Sequence, residues 1–525
     1  MALWTSVAQR LAQIRTADEG KPRRRVVVLG AGMAGLTAGY ELAQLGHDVQ
    51  LVEASSRVGG RVLTAHFPTG QYHELGAMRI PASHDYTRHY VTALQLGLRR
   101  FVNDRPGGRF DLRGRRFEVA DYRAHLGAFG LQAPERADIE RGGPGALYGA
   151  VLEGWMETLT DGDRRALFLG DVRSTALRAI DRLSLKEALV QGPRCGEPWS
   201  GEGMALLGTA TALEGLWDRS LSMFVRDELA ANGDGLEEIC GGMDLLPKGL
   251  AARLDGKIRF ATQVKRIAIT TGGAVLLGID GDDGPQTLTT DCVLCTLPFG
   301  VMRRMELVGF TSAKLDAIRN MSYASSTKVI AHCSERFWER EGILGGRSIT
   351  DGVARQLYYP MDSVPRSQLS AAAANNAEGR PEGQRGLHHL SPPASGLAAA
   401  PAVAGPPREV GPGALLASYT WGHDARRLGG LGHARRVDAA LTSLRGLHPG
   451  IEREVDEAQS MYWDDHPWAM GAFAELLPRD LLDYFPAATA PEPGLHFAGE
   501  HLSPFPGWIQ GAIYSGLRAT AEIVD

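Results

Sequence analysis

The sequence predicts an α/β protein in which a Rossmann-like dinucleotide domain, split across the chain, joins a mixed α+β domain with a helical subregion. Three observations predict it. A strand–glycine loop–helix–strand unit occupies residues 25–53, strand-type runs return across 236–300, and the chain closes on a strand, a loop and a long helical pattern. Units of the first kind build parallel sheets. Their separation predicts a dinucleotide domain assembled from about 25–85, 236–300 and 456–525, with 86–235 and 301–455 forming the remainder.

Residues 1–24 begin ALWTSVAQRLAQI, where Leu3, Val7, Leu11 and Ile14 recur at helical spacing and predict a helix packed on the outside. RRVVVLG then reads as a buried parallel strand, AGMAGLTAGYELAQLG as a helix and HDVQLVE as a second strand. Residues 86–234 are mostly helical in pattern, with Gly/Pro breaks. KIRFATQVKRIAI, AVLLGI and CVLCTLP bring strands back. The segment 361–413 is rich in Ala, Pro and Gly and poor in large apolar groups, so it reads as a flexible surface insertion. A loop of that length is either functional or disordered.

With 525 residues the chain exceeds one ordinary core, and 44% hydrophobic with 22% charged residues is the balance of a globular protein. A net charge of −5 argues against a general nucleic-acid or anionic-membrane binder. Five cysteines are too few, and odd in number, for a disulfide framework. Cys292 and Cys295 form a CxxC, but the run is apolar and no second Cys/His pair lies nearby, so it reads as a buried strand. His388 and His389 lack ligand-spaced partners, so no metal is expected. The first twenty residues have no apolar core of a secretory signal and no apolar run is long enough to span a bilayer. A cytoplasmic location is the expectation.

Gly30, Gly32 and Gly35 form a GxGxxG between strand and helix. The first permits a tight turn, the second lets backbone approach a pyrophosphate, and the third lets helix and strand pack closely. The helix beginning at Met33 and Ala34 then offers unpaired N–H groups and a positive dipole end to phosphates. Glu53 ends the next strand where an acid bonds ribose hydroxyls, which disfavours a 2′-phosphate. NAD and FAD share this fingerprint.

The residues that follow decide between them. EASSRVGGRVLT, with Ala54, Arg57, Gly59, Gly60 and Arg61, resembles the second glycine-rich turn of the GG-doublet flavoproteins, which approaches the FAD diphosphate. LHFAGEHLSPFPGWIQGAIYSGLRAT, with Gly499 and Glu500, is similar to their C-terminal FAD segment. This implies a GR2-type FAD domain. Within that class the chain resembles the flavin amine oxidases, most closely the L-amino acid oxidases, on four further stretches.

ELGAMRIP is similar to the segment whose arginine binds the substrate α-carboxylate, here Arg79. A planar carboxylate suits a planar guanidinium fork, and a guanidinium set between Met78 and Ile80 needs an anion. A salt bridge to a protein acid is the alternative. SSTKVIAHCSERFWE resembles the segment whose lysine holds a water near the flavin, here Lys328; a solvent-facing strand lysine is the alternative. GALLASYTWGHDA gives Tyr419 as a second carboxylate contact, and PFPGWIQGAI gives Gly507 and Trp508 at the flavin face; either aromatic would also suit a core. The resemblance further implies FAD contacts from Ala77, Met78, Arg79, Val264, Trp463 and Ile509. Trp468 belongs to the same stretch as Trp463. None of His423, His466 and His501 is singled out as a base. Arg226, Asp227 and Glu228 are either a solvated run or a pocket feature favouring basic substrates.

The implied reaction is oxidative deamination of an L-amino acid to a 2-oxo acid and ammonia, with dioxygen ending as hydrogen peroxide. An amino-acid 2-monooxygenase, a mono- or polyamine oxidase and a flavin-containing protein without turnover are the alternatives. The resemblance also makes a homodimer an open expectation.

Overall fold

Val26, Val27, Val28 and Leu29 are fully buried, as a strand covered on both faces requires. In the computed structural model, which describes residues 3–362 and 411–525 apart from 106, 144, 192–198, 232–234 and 291, that strand is the centre of a five-stranded sheet. Arg25–Leu29 pairs in parallel with Asp48–Val52 on one side and Val293–Cys295 on the other. Ile258–Arg259 and Leu495–Phe497 complete the edges, also in parallel. Three segments far apart in sequence therefore share one sheet. The helix Met33–Gln44 crosses over it and packs on the C-terminal helix Ile509–Val524. Val7–Asp18 is the expected outer helix, burying Val7, Leu11 and Ile14, with a capping box from Ser6 and Gln9 at its start.

A second, seven-stranded sheet runs in the order Val455–Tyr462, Ser326–Cys333, Gly413–Trp421, Gln356–Tyr359, Gly346–Thr350, Arg109–Leu112, Arg115–Glu118. It is antiparallel except where Gly346–Thr350 meets Arg109–Leu112. Every residue of Ser326–Cys333 is buried. Among the described residues, eight α-helices between residues 122 and 231 pack around a hydrophobic core that includes Leu167, Leu185 and Val225.

Three sequence expectations are corrected. Val455–Tyr462 pairs with Ser326–Cys333, so residue 456 does not begin the dinucleotide part; that strand belongs to the second sheet. The stretch 86–234 also contains strands, at Leu98–Phe101, Arg109–Leu112 and Arg115–Glu118, whose alternation is hidden because arginines occupy both faces. The insertion is narrower than 361–413. Met361 is buried in a hydrophobic cluster and Gly413 opens a strand, while most of the segment, with His388 and His389, lies outside the described residues. The CxxC lies at the sheet as expected: Cys292 and Cys295 are buried and form no disulfide, and burial pushes the Cys295 thiol up to about 12. Among the described residues no helix is long and apolar enough to cross a membrane, and no cluster of metal-ligating side chains occurs.

Candidate active site

The first strand ends at Gly30, whose φ of +97° is open to glycine, and the chain turns there into the helix. A Cβ on Gly35 would overlap the Gly30 carbonyl, whereas one on Gly32 would meet nothing within 4 Å. The three glycines thus differ: one makes the turn, one leaves an open approach, one permits close packing. Gly59 donates its N–H to Ala31 O (2.9 Å), bringing the second glycine turn against the first. The Arg57 guanidinium closes on the carbonyls of Val58, Gly60 and Val62, holding that turn in place.

Glu53 is buried and accepts N–H bonds from Ala31 (2.7 Å) and Ser55 (2.9 Å). A carboxylate has about four acceptor sites, so capacity remains for ribose hydroxyls. The two ends of the chain are joined at Glu500. It takes Arg61 Nη1 at 2.7 Å, Gly507 N at 2.8 Å and Ala474 N at 3.1 Å. The side chains of Arg61 and Glu500 therefore fasten the N-terminal and C-terminal segments together while lining the space between them.

That space is an elongated cavity with about 1420 Å³ of atom-free volume, counting its mouth. Its lining takes in both glycine turns and the C-terminal loop, which suits a molecule of dinucleotide length. Its wall runs from Gly30, Glu53 and Val264 past Gly60 and Arg61 to Lys328, Tyr419, Trp463 and Trp508. The donors fit an FAD diphosphate: open backbone at Gly32, the start of the helix at Met33 and Ala34, and the start of the C-terminal helix at Ile509.

At the far end, antiparallel pairing places Lys328 directly opposite Tyr419. Residues so paired share a face, and Lys328 Nζ lies 4.4 Å from the Tyr419 ring centroid. Nζ donates to the carbonyls of Gly76 (2.7 Å) and Glu74 (3.0 Å), with Met78 Sδ at 3.3 Å. Behind Tyr419 stands Arg79. Its guanidinium carbon lies 5.8 Å from the Phe101 ring and 5.9 Å from the Tyr358 ring, and Nη1 donates to Asn103 Oδ1 at 2.8 Å. Among the described residues no carboxylate pairs with it. Asp104, which feels its charge, is bound by Arg347 at 2.7 Å.

The family model for flavin-containing amine oxidoreductases matches residues 33–524. The chain belongs to that family. It is a flavoprotein whose cofactor is FAD. The chain is 34% identical over 513 residues to the flavin-dependent L-tryptophan oxidase RebO of Lentzea aerocolonigenes, covering 95% of this chain and 98% of that one. It is 29% identical to an L-amino-acid oxidase of Siganus canaliculatus, covering 97% and 88% respectively. The fold is shared with putrescine oxidase bound to putrescine, at TM-score 0.69 and 16% identity over 96% of this chain and 99% of that one. Cyclohexylamine oxidase from Brevibacterium oxydans gives TM-score 0.65 and 17% identity, with the same coverage.

Against this family fold, the sequence-derived cofactor positions line the cavity except Gly35, Met78 and Arg79. Gly35 is spent on helix–strand packing, Met78 contacts Lys328, and Arg79 meets the side chain of Tyr419, which lines the cavity. Trp463 gives its indole N–H to Leu75 O (3.0 Å) and lines the wall, as does Trp468. His423 is exposed, His466 lines the cavity with its pKa lowered by burial and by Arg57, and His501 is buried and held well below its usual value by burial. Arg226 is buried and donates to the carbonyls of Phe168 and Ser503, away from the pocket.

Sequence reasoning missed Glu74 and Asn103. Glu74 is buried, accepting from Met243 N and Thr64 Oγ1 at 2.8 Å each. Burial raises its carboxyl and lowers the Lys328 ammonium, while each charge favours the other and Arg79 lowers Lys328 further. Glu74 opens the quoted ELGAMRIP, so its place beside Arg79 was the available signal; nothing local marks Asn103.

Proposed function

We propose that this flavoprotein oxidatively deaminates an L-amino acid to a 2-oxo acid and ammonia, with dioxygen reduced to hydrogen peroxide. The observation that carries the reading is Arg79: a guanidinium beside Tyr419, which faces Lys328, that forms no ion pair with a carboxylate among the described residues. Relatives named as L-amino-acid and L-tryptophan oxidases over nearly the whole chain support it. When bound, FAD supplies the acceptor for the two electrons leaving the substrate Cα–H.

The chain's own groups do the rest. Arg79 and Tyr419 grip the carboxylate, which fixes the orientation of Cα–H, and such positioning carries much of the rate. Trp508 and Trp463 bound the cavity and keep water out. Lys328, its ammonium discouraged by burial, holds a proton near the cavity end and aids the oxygen step. The substrate amine must be neutral to lose hydride, so rates rise with pH until it is deprotonated.

A mono- or polyamine substrate has no carboxylate for Arg79. The 2-monooxygenase outcome differs only in product. A screen of the twenty L-amino acids with D-isomers as controls, scoring peroxide and 2-oxo acid against amide and carbon dioxide, tests the reading. Peroxide with 2-oxo acid supports it; amide with carbon dioxide replaces it; no flavin bleaching by any amino acid under anaerobic conditions removes it. A homodimer is proposed on the family resemblance alone, and a cytoplasmic site on the sparse use of cysteine, five in 525 residues.

A further inference from the structure

The helix Leu221–Ala231 reaches the C-terminal flavin loop at two points through adjacent residues. Arg226, fully buried, donates Nη2 to the Ser503 carbonyl at 3.2 Å and Nε to Phe168 O at 3.2 Å. Asp227 Oδ1 accepts the Trp508 indole N–H at 2.8 Å. Both anchors fall in the short loop that carries Gly507 and Trp508 into the cavity wall. Trp508 is half-buried and touches His84 edge to face at 5.1 Å. The edge-to-face contact with His84 and the directed bond to Asp227 both act on its ring torsion. An indole N–H to a carboxylate is charge-assisted, about twice as strong as a neutral pair.

We infer that Asp227 is a positioning residue that fixes the Trp508 ring across the substrate end of the cavity, so that side-chain selectivity is set by the Trp508 wall and not by an acid reaching the substrate. Trp508 lines the same cavity as Lys328 and Tyr419, so a change in its tilt alters the room left inside. The carboxylate of Asp227 points to Trp508 and is not offered to a cationic substrate group. This inference rests on the amino-acid reading above.

The experiment compares wild type with Asp227→Asn, Asp227→Leu, Trp508→Phe and the Asp227→Leu/Trp508→Phe double variant as holoproteins. Flavin content, kcat and KM are measured for a large apolar, a small and a basic L-amino acid. Asparagine keeps the acceptor, so Asp227→Asn is expected within about threefold of wild type for all three. Asp227→Leu and Trp508→Phe are each expected to lower kcat/KM for the large substrate about ten-fold or more, chiefly through KM, and to blur the large-to-small preference. The double variant is expected to match Trp508→Phe. A wild-type profile in Trp508→Phe, or an undiminished effect of Asp227→Leu in the Trp508→Phe background, overturns the inference. So does selective loss of basic substrates in Asp227→Asn. If Asp227→Leu does not fold, Trp508→Phe decides from the other side of the bond. If wild-type flavin is reduced by no amino acid, the amino-acid reading itself fails and the inference falls with it; normal wild-type turnover with unaffected variants removes the inference alone.

Discussion

Arg79→Ala removes the group on which substrate recognition depends, and the structure sets the size of the effect. Among the described residues the guanidinium has no carboxylate ion pair; it bonds Asn103, reaches the Tyr419 side chain and has two aromatic faces near 5.8 and 5.9 Å. A bidentate grip on a carboxylate adds two charge-assisted bonds worth about 1.5–3 kcal/mol each. Replacement of part of that by water leaves a loss of about 3–4 kcal/mol, or about 10²–10³-fold in kcat/KM. The folded protein loses the contacts with Asn103 and Tyr419 and two cation–π contacts of about 0.5–1 kcal/mol each, too little to release FAD. Anaerobic stopped-flow reduction over a range of amino-acid concentrations measures the effect directly. The variant should stay yellow, need far more substrate for half-saturation, and recover only partly in Arg79→Lys, which restores charge without the fork. A yellow Arg79→Ala protein with wild-type substrate dependence would refute the carboxylate assignment.

Lys328→Met should slow flavin reoxidation by dioxygen more than reduction by substrate, and equal effects on both would remove Lys328 from the oxygen step. Lys314 is buried, bonded to the carbonyls of Ala488 and Ala490, and brought down to about 7 by burial. Between about 7 and its unfolded value the unfolded chain binds the extra proton, so this residue's contribution to stability rises with pH. The melting-temperature gap between wild type and Lys314→Met should therefore widen in favour of wild type from pH 7 to 10; a gap that narrows contradicts the burial argument. Gly35→Ala should lose flavin or fail to fold, because its methyl would overlap the Gly30 carbonyl; normal flavin content would contradict the packing. Replacing 363–410 by a short linker should leave a flavin-loaded protein, since Arg336 holds Asp362 (2.6 Å) on one side and Pro412 O (3.0 Å) on the other; loss of flavin would show that the segment supports the fold.

What could be read from the chain was what backbone constraint and misplaced charge reveal locally. The roles of Gly30, Gly32 and Gly35 follow from their spacing after a strand, and Arg79 and Lys328 stand out because each is a cation in an apolar run. Features that depend on register were not legible. Residue 456 looked like the start of the final dinucleotide segment, yet the strand there completes the other sheet because its partner, Ser326–Cys333, is over a hundred residues earlier. Glu500 looked only like a cofactor contact, and its use as a staple to Arg61 needs both ends of the chain in place. Asp227 looked like part of a charge run, and only the folded loop shows that it meets Trp508. The strands from 98 to 118 were hidden by arginines whose partners, such as Glu238 for Arg99, come from distant segments.

The most direct measurement is a crystal structure of the holoprotein soaked with a non-reactive aromatic carboxylate. The account predicts the carboxylate on Arg79 with Tyr419 beside it and the ring toward Trp508. A carboxylate bound elsewhere in the cavity, with the Arg79 guanidinium still on Asn103 and clear of the ligand, would contradict it.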